Sequence, residues 1–210
     1  MTNIACLTLE VADVEAAGRF YDEAGLTGLV RLRGSEEPSE GFRGYTLALT
    51  VAQPADVDLL LGAALAAGAT SLKPAAKSLW GYGGVFRAPD GTIWKVATSA
   101  RKDTGPATGR IDAFVLLLGV ADVAASRRFY VERGMTVDKS FGRVYAEFAA
   151  GTGPVRLALY RRRALAKDLG VGPEGSGARR LAIGGEAVEP FADPDGFAWE
   201  AVAAAAGATA

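Results

Sequence analysis

Two pieces of this sequence occur twice, and that repetition limits what the chain can fold into more than any other feature. LEVADVEAAGRFYDEAGLT (9–27) and LGVADVAASRRFYVERGMT (118–136) align without a gap. FRAPDGTIWKVA (86–97) and FADPDGFAWEAVA (191–203) share Phe, Pro-Asp-Gly and Trp at the same offsets. Motifs that recur at one long spacing predict a supersecondary unit built more than once. Each copy of the first motif opens on an apolar run, ACLTLEV or FVLLLGV, that suits a buried strand. Asp13 and Asp122 stand where a helix N-cap belongs, and Gly25 and Gly134 at the C-terminal stop. In the second motif proline presets φ, aspartate bonds its own backbone and glycine takes the positive φ that closes a turn. Val85-Phe86 and Ile93-Trp94 therefore flank one hairpin, and Phe191 and Phe197-Trp199 flank the other.

Between these landmarks GFRGYTLALTV (41–51) reads as a strand and PADVDLLLGAALAAGAT (54–70) as an amphipathic helix ending at Gly68. KPAAKSLWGYGG (73–84) and LGVGPEGSGAR (169–179) read as loops, and 143–150 and 155–162 as alternating strands. TSARKDTGPATGR (98–110) has the polar, Gly- and Pro-bearing composition of a linker. The expected organisation is a domain over 1–98, a linker over 99–110 and a second domain over 111–204. Within it four units follow, 1–33, 42–98, 110–162 and 178–204. The middle two have the pattern βαβββ; the first lacks its hairpin and the last its helix. Either neighbouring units pair in sequence, or the two complete units pair with each other and leave the abbreviated ones to pack together. The complementary missing pieces favour the second arrangement on burial grounds.

The chain has 210 residues, half of them hydrophobic, and a net charge of −1, so it supports a real core and no electrostatic grip on nucleic acid or anionic lipid. Arg161-Arg162-Arg163, Arg179-Arg180 and Arg127-Arg128 are short enough to be solvated faces. A single cysteine, Cys6, leaves no partner for an intramolecular disulfide and fits a reducing, cytoplasmic compartment. No apolar run reaches membrane-spanning length. Histidine is absent, which removes Ser-His-Asp and Cys-His mechanisms and the commonest metal ligand.

VADVEAAGRFY and VADVAASRRFY resemble the opening of vicinal-oxygen-chelate modules, the glyoxalase / bleomycin-resistance / dioxygenase superfamily. DVDLLLGAALAAGATSLKP, WGYGG and FRAPDGTIWKVA resemble the closing half of the same module. The resemblance implies an α+β fold, with repeated βαβββ modules forming curled mixed sheets around a cup. It also implies where a metal would be held: on the first strand of each module and four residues after the Pro-Asp-Gly glycine. Those slots fall on Cys6, Val115, near Thr46, near Leu157 or Ala158, and on Lys95 and Glu200. A divalent centre needs several converging lone pairs; a protonated lysine repels a cation and valine offers nothing. No cofactor and no metal site are expected.

The candidate ligand-binding residues are then Trp80 and Tyr82 on a glycine-loosened stretch, Phe86, Lys95 as partner for an anionic or carbonyl group, Arg43 beside the strand entering the cup, and Cys6. Glu200 is the one candidate for acid–base work. Cys6 also reads as a small buried hydrophobe, Lys95 as a strand-end lysine reaching water, and Trp94 and Trp199 as core. Tyr145 and Tyr160 sit on strands that would line a second cup; Phe20-Tyr21 and Phe129-Tyr130 read as packing residues between helix and sheet. The expected function is metal-independent binding, as monomer or homodimer, of a small hydrophobic or aromatic molecule, with no nucleic acid or membrane partner. The alternative is a glyoxalase- or dioxygenase-type enzyme, a lyase or oxidoreductase, with a non-standard or metal-free site.

Overall fold

The computed structural model describes residues 3–186 and 188–202; residues 203 and 204, which close the last sequence unit, lie outside the described residues. In chain order the elements are β1 (Ile4–Val11), α1 (Val14–Glu23), β2 (Arg31–Gly34), β3 (Ser39–Gly41), β4 (Tyr45–Val51), α2 (Pro54–Ala66), β5 (Thr70–Ser78), β6 (Gly81–Arg87) and β7 (Ile93–Thr98). There follow β8 (Ile111–Val120), α3 (Val123–Glu132), β9 (Val137–Phe141), β10 (Tyr145–Phe148) and β11 (Val155–Arg161). The chain closes with α4 (Arg162–Leu169), β12 (Gly175–Gly177), β13 (Leu181–Glu186), β14 (Phe191–Ala192) and β15 (Ala198–Val202).

The local signals act as the sequence predicts. The Asp13 carboxylate accepts from the Ala16 N–H, and that of Asp122 from Ala124 and Ala125, so both helices start on a satisfied cap. Gly91 and Gly196 take φ of 87° and 82°, closing the β6–β7 and β14–β15 hairpins. The stretch 73–84 is not a loop, however. It is the β5–β6 hairpin, with Leu79 and Trp80 at its tip.

Thirteen strands form one mixed sheet, and β3 pairs with β12 in a separate ribbon. At the sheet's centre β4 and β8 run antiparallel, Leu47 opposite Leu116. Each has a parallel neighbour on its other side, β7 beside β4 and β11 beside β8. β1 pairs antiparallel with β13, Leu7 opposite Ile183, and meets β11 only at Ile4 and Val155. Strand pairing thus joins the first strand of unit 42–98 to that of unit 110–162, and the first strand of 1–33 to that of 178–204.

Side chains alternate across the strands. One face is covered by α1, α2 and α3. On β8, Phe114, Leu116, Leu118 and Val120 belong to this core, which also takes Leu7 and Leu9 from β1 and Trp94 and Trp199 from β7 and β15. Helices cross between neighbouring units here. Tyr21 of α1 donates to the Asp90 carboxylate at 2.7 Å and lies 5.8 Å from the Trp94 ring. Tyr130 of α3 donates to Asp193 at 2.6 Å and lies 5.7 Å from Trp199. The expected linker is fastened to the start of α2: the Asp56 carboxylate accepts from the Thr108 N–H at 2.6 Å, and Gln53 accepts from Thr104 at 2.7 Å.

The opposite face carries α4, which the sequence reading left unassigned between a strand ending at 162 and a loop beginning at 169. Leu165, Ala166 and Leu169 bury against Phe42, Val85 and Ile93, forming a small core of their own. Among the described residues no helix is long and apolar enough to cross a membrane.

Candidate functional site

The concave face of the central sheet is where Trp80, Tyr82, Phe86 and Lys95 were expected to meet, with Arg43 beside it and Cys6 on a first strand. In the cross-strand row through Lys95, the neighbours are Ala48 on β4, Val115 on β8 and Arg156 on β11. One row away, the Thr46 hydroxyl donates to the Ile93 carbonyl at 2.8 Å, and Leu117 and Ala158 complete the line. Alanine, valine and leucine carry no lone pair, and the two cations repel a third, so these residues do not suit a divalent ion.

α4 lies over this face. Lys95 Nζ is 2.5 Å from Asp168 Oδ2, an ion pair that leaves each side chain about one-third exposed. Lys73 caps the helix C-terminus, donating to the Lys167 carbonyl at 3.0 Å and to that of Asp168. A cation there meets both the orphan carbonyls and the negative end of the helix dipole. Tyr160 packs against the same small core, and burial followed by the nearby Asp168 charge raises its phenol.

Beside α4 remains a cleft of about 270 Å³. Lys73, Lys77, Trp80, Val85, Lys95 and Asp168 are among its walls. Trp80 is 84% exposed, whereas Trp94 and Trp199 are fully buried. Among the described residues Lys77 has no ion-pair partner; it is the residue that sequence reasoning passed over. Its signal was its place two residues before the Leu79–Trp80 tip, legible only once the stretch is known to be a hairpin. Tyr82 meets the cleft at its edge, with its ring against the helix-side core and its hydroxyl donated to Asp58 at 2.8 Å. That hydrogen bond, with burial, pushes the Tyr82 phenol up.

The other candidates are elsewhere. Phe86 points to the helix face, stacked on Trp94 at 6.4 Å, because it alternates with Val85 along β6. Arg43 lies against the Pro-Asp-Gly turn, donating to the Asp90 carbonyl at 2.7 Å. Cys6 sits on β1 opposite Gly184, where a Cβ would stand 2.5 Å from its sulfur. Glu200 accepts both guanidinium nitrogens of Arg33, at 2.9 and 3.1 Å, and Arg33 also reaches Glu10 at 2.7 Å. In sheet order β2, β1, β13 and β15, Arg33 and Glu200 are three strand spacings apart and four residues out of row, roughly 20 Å on a flat sheet. They meet because the sheet curls. These hydrogen bonds, Glu200's first, raise Arg33 above its ordinary value. Tyr145 donates to Glu147 at 3.0 Å, away from the cleft's walls.

Two of the basic clusters are not solvated faces. Arg162 donates to the carbonyls of Phe42 and Pro173 at 2.6 and 2.9 Å, and Arg179 to those of Arg43 and Asp195. Burial, then the neighbouring Arg179 charge, lowers Arg162. Among the described residues no three His, Cys, Asp or Glu side chains converge on one point.

No family model matches the sequence, and no curated protein matches it either. Solved structures do match the fold. Glyoxalase I from Zea mays is similar over 97% of this chain and 92% of its own, with a TM-score of 0.64 at 15% identity. A putative dioxygenase from Bacillus subtilis is similar over 96% of this chain and 84% of its own, with a TM-score of 0.62 at 10% identity. With its curled mixed sheet and few helices, the chain has the vicinal-oxygen-chelate fold, the architecture of glyoxalases and related dioxygenases.

Proposed function

We propose that this protein binds a small, partly aromatic or hydrophobic molecule in the cleft beside α4, and holds it by contact and charge rather than through a metal ion. The observation that supports this reading is the Trp80 side chain, 84% exposed on a hairpin tip at the wall of a cleft that Lys77 and Lys95 also line. An exposed indole with apolar ground beside it gains by covering a flat ligand, at roughly 25 cal/mol per Å² buried. Lys77 supplies an uncommitted cation for a carbonyl or anionic substituent. At about 270 Å³ the cleft is near the small end of ligand pockets and suits one or two fused rings.

The test is quenching of intrinsic fluorescence by a panel of aromatic acids, phenols and hydrophobic natural products. Trp94 and Trp199 are buried, so the exposed signal belongs to Trp80. Saturable quenching at micromolar concentration, lost in Trp80→Phe and weakened at least tenfold in Lys77→Ala, is the expected result. A panel without quenching or thermal shift would sink the proposal. So would stoichiometric zinc, nickel, iron or manganese in gently purified protein, which would favour the enzymatic alternative.

A further inference from the structure

A second cleft, of about 240 Å³, lies between the end of β1, the start of α1 and the Pro89–Asp90 turn, and shares no residue with the cleft beside α4. Two arginines line it, and each keeps a buried N–H without an acceptor: Nη1 of Arg43 and Nε of Arg180. Arg180 is more than nine-tenths buried. Its remaining contact is a bond from Nη1 to the Ser35 carbonyl. No carboxylate lies within ion-pairing distance of either arginine among the described residues. The cleft's own carboxylates are engaged elsewhere: Glu10 with Arg33, Asp13 with the Ala16 N–H, and Asp90 with Tyr21 and Thr92.

The backbone adds a separate observation. Arg180, at φ 57°, is the one non-glycine among the described residues in the left-handed region. Arg180 lines this cleft, whereas its neighbour Arg179 turns to the carbonyls of Arg43 and Asp195. A strained backbone and a buried cation without a counter-charge are both unfavourable, and they persist where the surroundings or a ligand compensate. A negatively charged group seated between the two guanidiniums in the cleft would supply the counter-charge that neither finds among the described residues. Beside these charged residues the wall carries an apolar surface of Val11, Ala17, Phe20 and Pro89.

We propose that this cleft binds a small carboxylic acid with a compact apolar body, its carboxylate on Arg43 and Arg180 and its body on Phe20 and Pro89. Calorimetric titration and thermal shift of the full chain with benzoate, butyrate, acetate and inorganic phosphate test it. Benzoate and butyrate are expected to bind with millimolar or tighter dissociation constants, while acetate and phosphate leave the melting temperature unchanged. Arg43→Met is expected to weaken binding at least tenfold. Ala16→Phe, at an exposed position on the cleft's wall, is expected to block it while leaving the fold intact. No binding by either acid overturns the proposal, as does binding that survives both substitutions. Phosphate binding as tightly as benzoate also overturns it, since it would mark a general anion site.

Discussion

Lys95 on β7 and Asp168 on α4 meet at 2.5 Å, so the chain supplies its own carboxylate to the one lysine of β7. The pair is part of a seam in which α4 fills the middle of the concave face and leaves a cleft at its side.

That seam predicts an asymmetry between charge and packing. Asp168→Asn removes a partly exposed ion pair, and such pairs contribute about 0.2–1 kcal/mol. Leu169→Ala empties a fully buried site and is expected to cost about 2–5 kcal/mol. Urea unfolding of the two variants separates the terms. Equal losses would show that α4 is held by its charge and not by its apolar face.

All six tyrosines have phenols raised above 10, burial being the first cause for every one except Tyr82. Tyr45 is pushed up to about 12. A raised pKa in the folded state means that the unfolded chain gives up its protons first. The resulting stability is fully present below pH 10 and lost as the pH climbs through the folded values, chiefly through the buried Tyr21, Tyr45 and Tyr130. Ultraviolet titration should find little tyrosinate until the fold is lost, followed by a cooperative alkaline transition. Early, graded ionisation of several phenols would contradict this.

Glu200 and Arg33 are both near 40% exposed, so their bidentate pair is screened by solvent. Glu200→Gln should lower stability by less than about 1 kcal/mol, and molar salt should erase the difference. If the loss persists undiminished in high salt, the contact is a buried structural one.

Trp80 makes the fluorescence of this protein separable. Trp80→Phe should shift emission to the blue and remove the component accessible to acrylamide, with stability changed by no more than about 0.5 kcal/mol. An unchanged spectrum would mean that Trp80 is covered in solution.

Repetition, caps and turns were legible along the chain because each is a local device. Asp13, Asp122, Gly91 and Gly196 act within a few residues of themselves, and two copies of each motif checked one another. The fold class came through the family resemblance that these motifs carry. The fate of the candidate site was different, because it depended on which strand face each side chain occupies and on what lies across from it. Phe86 and Lys95 are both on hairpin strands, yet one faces the helices and the other α4. α4 itself was hidden: VRLALYRR runs on as a strand pattern into RRALAKDL, and only burial of Leu165 and Leu169 against Phe42 and Ile93 makes that segment a helix worth forming. The sequence by itself determined the repeated motifs, the two Pro-Asp-Gly hairpins and a core to join them. Tertiary structure alone decided that the concave face would be filled from within, that Glu200 would close on Arg33, and that two buried arginines would share a cleft. Each of those outcomes is a contact between residues far apart in the chain, set by the curl of the sheet rather than by any local preference.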